Sequence, residues 1–128
     1  MKKAFDTFVL SAIISVMAIV GALADEKPIN EASTVEYMHF RLVEGADPND
    51  FLRETLAVDP ILEEYDGFVA RHLARNDDGS WVEVVYWETL EAAEAALPRF
   101  IEDPRTVGFL SLVDADSMSV KYSTLFEF

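Results

Sequence analysis

Cysteine is absent from the 128 residues. Disulfides, thiolate metal sites and a thiol nucleophile are therefore excluded. Basic residues are scarce: ten lysines and arginines stand against 24 aspartates and glutamates, a formal net charge of −14. Nucleic acid and anionic lipid surfaces require basic patches, so neither is expected as a partner. The acids are scattered and do not show the spacing of a calcium loop. There is no Gly-rich phosphate loop, no G-x-S-x-G elbow and no H-E-x-x-H helix, which removes nucleotide-dependent, serine-hydrolase and zinc-protease chemistry.

Long apolar runs are confined to the start of the chain. "MKK" opens it, "FVLSAIISVMAIVG" follows, and "ALA" (Ala22 to Ala24) precedes the charged "DEK". This is the order of a secretory signal peptide, residues 1–24, with cleavage expected after Ala24. A retained signal anchor is the alternative, but the run is short of the roughly 20 residues of a spanning helix. A periplasmic or secreted protein is expected. Loss of Lys2, Lys3 and Asp6 would leave the mature chain one charge more negative. Residues 25–32 read as a lead-in, and residues 33–128 as one domain large enough for its own core.

Within that domain "STVEYMHFRLVEG" alternates as a strand. Tyr37, His39 and Arg41 fall on one side, and Met38, Phe40 and Leu42 on the other. "DPNDFLRETLAVDPILEEYDG" is helical, capped by Asp47, with Asp59-Pro60 expected to kink or restart it. "FVARHLAR" and "WVEVVYWE" form a hairpin across Asp78-Gly79. "TLEAAEAALPRFI" is a second helix with Thr89 as cap and a kink expected at Pro98. "DPRTVGFLSLV" gives a short third helix, "DADS" a turn, and "MSVKYSTLFEF" a fourth strand. The order β-α-β-β-α-β is the split β-α-β, ferredoxin-like pattern of the α+β class. It predicts a four-stranded antiparallel sheet with helices on one face. The other face would be left open and partly apolar, which predicts a homodimer whose two sheets close into a barrel.

The segment "EEYDGFVARHLARNDDGSWVEVVYWETLEAAEAALPRFIEDP" resembles the antibiotic biosynthesis monooxygenase-like domains of the dimeric α+β barrel superfamily. The resemblance rests on Gly67-Phe68, Asp78-Gly79, Trp87-Glu88-Thr89, the alanines from Ala92 to Ala96, Phe100 and Asp103-Pro104, and extends over about residues 33 to 126. It implies a dimeric barrel. Among the activities it implies are cofactor-independent oxygenation of aromatic polyketides and haem degradation. The haem-degrading branch uses an Asn, a Trp and a His at places that hold Met38, Ala96 and Thr106 here, which speaks against haem.

Candidate chemistry gathers on three strands. His39 and Glu83 are the candidate proton acceptors, because imidazole titrates near neutrality and a buried carboxyl is pushed toward it. Tyr37, Met38, His72 and Trp87 are the candidate pocket-lining residues. Two competing expectations are plain structural ones: a hydrogen-bonded His39, and a Glu83 paired with Arg71 or Arg75 across the hairpin. Trp81 is expected half exposed beside the hairpin. Two histidines are too few for a metal site, and no cofactor is expected. The sequence thus points to an exported monooxygenase-like homodimer that oxidises a small phenol or quinol. The alternative is a non-catalytic ligand-binding or structural homodimer.

Overall fold

A computed structural model describes residues 27–128. The expected signal peptide, residues 1–24, lies outside the described residues. A 3-10 turn at Ile29–Glu31 leads into strand β1 (Thr34–Leu42), followed by helix α1 (Pro48–Glu63), the hairpin β2 (Phe68–Arg75) and β3 (Trp81–Trp87), helix α2 (Leu90–Glu102), a second 3-10 turn (Pro104–Thr106), helix α3 (Val107–Leu112) and strand β4 (Val113–Thr124). The strands lie side by side in the order β2-β3-β1-β4, with every neighbouring pair antiparallel. This is the ferredoxin-like α+β fold expected from the sequence.

The helices begin where the capping chemistry places them. Asp47 accepts from the Asn49 amide at 2.8 Å and Pro48 occupies the first turn of α1. Thr89 accepts from the Ala92 amide at 3.1 Å at the head of α2. Neither proline interrupts its helix: α1 runs as one element through Pro60, and α2 through Pro98. In α1 the residues around Pro60, namely Val58, Ile61 and Leu62, are buried, so packing outweighs the missing backbone hydrogen bond. A restart of the helix after "DP" is absent for that reason.

Strand alternation then divides the side chains between two faces. Glu36, Met38 and Phe40 on β1, and Trp81, Glu83, Val85 and Trp87 on β3, are buried under the helices. Phe51 of α1 sits at the centre of this core. Its ring lies 4.9 Å from Trp81, 5.2 Å from Phe109 and 5.7 Å from Phe40. Trp81 is thus buried rather than half exposed, because the hairpin folds back beneath α1. Val35, Tyr37 and His39 on β1 and Val82, Val84 and Tyr86 on β3 project to the opposite face, which no described element covers.

Strand β4 starts earlier than the sequence suggests. "DADS" is part of it, and the register with β1 shifts between Arg41↔Asp114 and His39↔Ser119. Ser117 secures that irregularity, accepting from the Arg41 amide at 2.8 Å and donating to the Asp114 carbonyl at 2.6 Å. A β-bulge of this kind looks like a turn in sequence because it carries the same polar residues.

The corner between α1 and β2 depends on Gly67. Its φ is +82°, and a Cβ there would lie 2.6 Å from the Cβ of Ala92 on α2. Gly67→Ala is expected to destabilise the protein by about 1–3 kcal/mol, through backbone strain and this clash together. Urea denaturation would measure it; an unchanged midpoint would contradict the close approach of α2.

Candidate active site

Between the sheet and helices α2 and α3 lies a cavity of about 300 Å³. Met38 and Trp87 form part of its floor, Phe100 and Phe109 come from the helices, and Met118 from β4. Only two polar side chains, Glu36 and Glu83, reach its wall among the described residues. A concave, mostly apolar space with a few convergent polar groups is the usual form of a small-molecule site.

Glu36 and Glu83 have different surroundings. Glu36 is 3 % exposed, and its Oε2 accepts from the Trp87 indole Nε1 at 2.9 Å. No ion pair neutralises it among the described residues. Burial pushes its carboxyl up to about 7, the indole hydrogen bond works against that rise, and the charge of Glu83 adds a little to it. Glu83 is 4 % exposed and has a cation. The Arg71 guanidinium, itself buried, donates through Nε to Glu83 Oε1, and through Nη1 to Asp59 Oδ1 at 2.6 Å and the Thr55 carbonyl at 3.1 Å. Burial pushes the Glu83 carboxyl up, and Arg71 pulls it back by charge and hydrogen bond. The expected cross-hairpin pairing of Glu83 with Arg71 is the arrangement observed.

The remaining candidates lie elsewhere. Tyr37, His39 and His72 project to the uncovered face and do not line the cavity. Tyr37 is 39 % exposed, and His72 stands edge-on to Tyr86 at 5.7 Å. His39 Nε2 lies 3.0 Å from Ser80 Oγ. That hydroxyl donates to Asp78 Oδ1 at 2.5 Å and accepts from Asn76 Nδ2 at 2.9 Å. With the serine proton directed at Asp78, the Nε2–H of His39 is the donor to Ser80. The order Asp78–Ser80–His39 places serine in the middle, whereas a nucleophilic triad needs histidine there. Ser80 is also fully buried. His39 therefore braces the hairpin, as a hydrogen-bonded histidine would. The two alternative proton acceptors, His39 and Glu83, do not share a site: residue 38, not 39, lies opposite Glu83, and the two side chains leave the sheet in opposite directions. His39 and His72 are separated by β3, and no group of three or more metal-ligating side chains occurs among the described residues.

Reading from the sequence missed Glu36. The signal was present, since Glu36 has the same parity as Met38 and Phe40. An acidic residue near a strand end is simply more often solvated than buried. Tyr122 lies opposite Glu36 on β4, and burial followed by the Glu36 charge pushes its hydroxyl up.

Fold and cavity together define a ferredoxin-like α+β domain, a fold shared with solved antibiotic biosynthesis monooxygenase-like proteins. A solved variant of SnoaB, a cofactor-independent oxygenase from Streptomyces nogalater, superposes with a TM-score of 0.57 at 24 % identity, covering 76 % of this chain and 97 % of that one. The ActVA-Orf6 monooxygenase of Streptomyces coelicolor, solved with nanaomycin D, gives 0.55 at 19 % identity, covering 78 % and 95 %. A nipsnap family protein of unknown function from Agrobacterium tumefaciens gives 0.56 at 18 % identity, covering 77 % and 92 %. No protein-family model matches the sequence, and comparison with curated proteins found no match. Likeness at these identities establishes a shared fold, which by itself does not fix a reaction.

Proposed function

We propose that this protein is an exported homodimeric oxygenase that oxidises a small phenol or quinol with dioxygen and no bound cofactor. The observation that carries this reading is the apolar cavity of about 300 Å³ between sheet and helices, walled by Trp87 and holding a carboxyl that titrates near neutrality. A deprotonated phenol supplies its own electrons to dioxygen, so the protein's task is to bind the ring, take its proton and exclude water. Two solved proteins of the same fold are described as a cofactor-independent oxygenase and a monooxygenase, which supports the reaction class. Export is supported by the order of residues 1–24. Dimerisation is supported by the uncovered sheet face, where Val35, Tyr37, Val82, Val84 and Tyr86 form a patch that a second copy would bury.

Oxygen uptake by the purified mature chain, measured across a panel of phenols and quinols, tests the reaction. Turnover with formation of a quinone is the expected result. Binding without uptake would instead favour a ligand-binding dimer. Sedimentation equilibrium should give twice the chain mass; a stable monomer would contradict the barrel.

A further inference from the structure

Taking the cavity as the place where the proposed reaction occurs, we propose that Glu36 accepts the hydroxyl proton of the substrate through Oε1, and that the cavity selects uncharged hydroxyaromatics over anionic ones.

Geometry singles out Glu36 among the acids. Its Oε2 is tied to the Trp87 indole, which fixes the carboxyl plane on the cavity wall. Oε1 makes no hydrogen bond among the described residues and belongs to a side chain that faces the cavity. Glu83, the other acid in the wall, is already committed to Arg71, and Arg71 is anchored in turn by Asp59. His39 is on the far side of the sheet. The groups that face Glu36 from the packed elements are Glu83 on β3, held by Arg71 from β2, and Tyr122 on β4, with Glu94 of α2 acting on Tyr122. None of them gives Glu36 a cationic partner.

The chemistry follows from that isolation. An unpaired carboxylate in an apolar wall is costly, and taking up a proton removes the charge. The negative charge moves to the phenolate, where it spreads over the ring. The phenolate then reduces dioxygen. A carbon–oxygen bond forms at the ring carbon para to the hydroxyl, and the oxygen–oxygen bond breaks. The hydrogen on that carbon leaves as a proton. The second oxygen atom departs as water, with the proton stored on Glu36 as one of its two hydrogens. A phenol with a free para position and one dioxygen thus give a para-quinone and one water. Selection against anions arises from the same wall. Among the described residues two carboxyls and no free cation line the cavity, and the chain as a whole carries a formal net charge of −14.

The probes are 1-naphthol, its methyl ether, and 1-hydroxy-2-naphthoate, used with the full mature chain, Glu36→Gln and Glu36→Leu. Tryptophan fluorescence reads binding and an oxygen electrode reads turnover. The native protein is expected to bind 1-naphthol about tenfold tighter than the ether, since a hydroxyl donating to a carboxylate is a charge-assisted bond. It should bind the naphthoate about a hundredfold more weakly than 1-naphthol. Glu36→Leu should reduce the hydroxyl preference to about twofold or less. Glu36→Gln, which keeps the shape, should lose about a hundredfold or more in kcat with KM changed only a few-fold. In the native protein kcat/KM should rise with pH and level off above about 7. Native uptake that persists in Glu36→Gln would overturn the role of Glu36 and leave the oxygenase reading standing. A native protein that consumes no oxygen, yet loses its hydroxyl preference in Glu36→Leu, would end the oxygenase reading and uphold Glu36 as the hydroxyl's acceptor. A hydroxyl preference unchanged in Glu36→Leu, or tight binding of the naphthoate, would overturn the proposal directly.

Discussion

Arg71→Met is expected to cost about 3–5 kcal/mol of folding stability at pH 7, the usual consequence of stranding one half of a buried ion pair. The Arg71 side chain is only 5 % exposed, yet it serves two carboxylates and a backbone carbonyl. Asp59 is half exposed and can turn to water when the guanidinium is removed. Glu83 cannot, because it lies in the floor beneath the helices. Without Arg71, burial acts unopposed and pushes the Glu83 carboxyl further up. Glu83 then takes up a proton as the pH falls, so the loss should shrink at pH 5. Arg71→Met combined with Glu83→Leu should recover most of the deficit, since a pair replaced by apolar groups leaves no charge behind. Urea denaturation of the two single variants and the double gives the coupling. A double variant as unstable as Arg71→Met would show that the arginine acts through packing on Phe109 rather than through Glu83.

Glu36→Gln should stabilise the protein by about 3 kcal/mol at pH 8 and by only about 1 kcal/mol at pH 5. The Glu36 carboxyl titrates at about 7 in the folded chain against 4.5 in its ordinary state. The folded state therefore holds a proton that the unfolded state has released between those values. Its contribution is fully present below 4.5 and is lost as the pH rises through 7. Glutamine carries no charge to desolvate and can still accept from the Trp87 indole. The pH dependence of the urea midpoint checks this: parallel curves for the native protein and the variant would mean that Glu36 keeps an ordinary carboxyl. A variant that gains stability while losing turnover is also the usual mark of a functional group held in an unfavourable place.

The alternation of β1 and β3 and the capping chemistry at Asp47 and Thr89 made the fold readable from the chain. Met38 and Trp87 could be placed on their proper face by parity alone. Which of the alternatives His39 and Glu83 faces the cavity could not be read from the chain, because parity within a strand says nothing of which residue stands opposite on the next. That is decided by the pairing of β1 with β3, whose register places Glu83 across from Met38. The partner of His39 was invisible for a related reason: Ser80 lies 41 positions away and is delivered by the turn before β3. Glu36 was overlooked although its parity was plain, because nothing local distinguishes a carboxylate facing a cavity from one facing water. The indole that meets it is 51 residues along the chain.

Successive residues of β1 serve different surfaces. Glu36 and Met38 belong to the cavity, while Tyr37 and His39 belong to the uncovered sheet face. A single strand is thus a party wall between two rooms. Substitutions at odd positions can alter the proposed self-association without touching the cavity, and those at even positions can reshape the cavity lining while leaving the outer face intact. The two properties are free to diverge separately over time, or to be re-engineered one at a time. Insertion or deletion of one residue in β1 is the change that neither would survive, because it would exchange the occupants of both rooms at once.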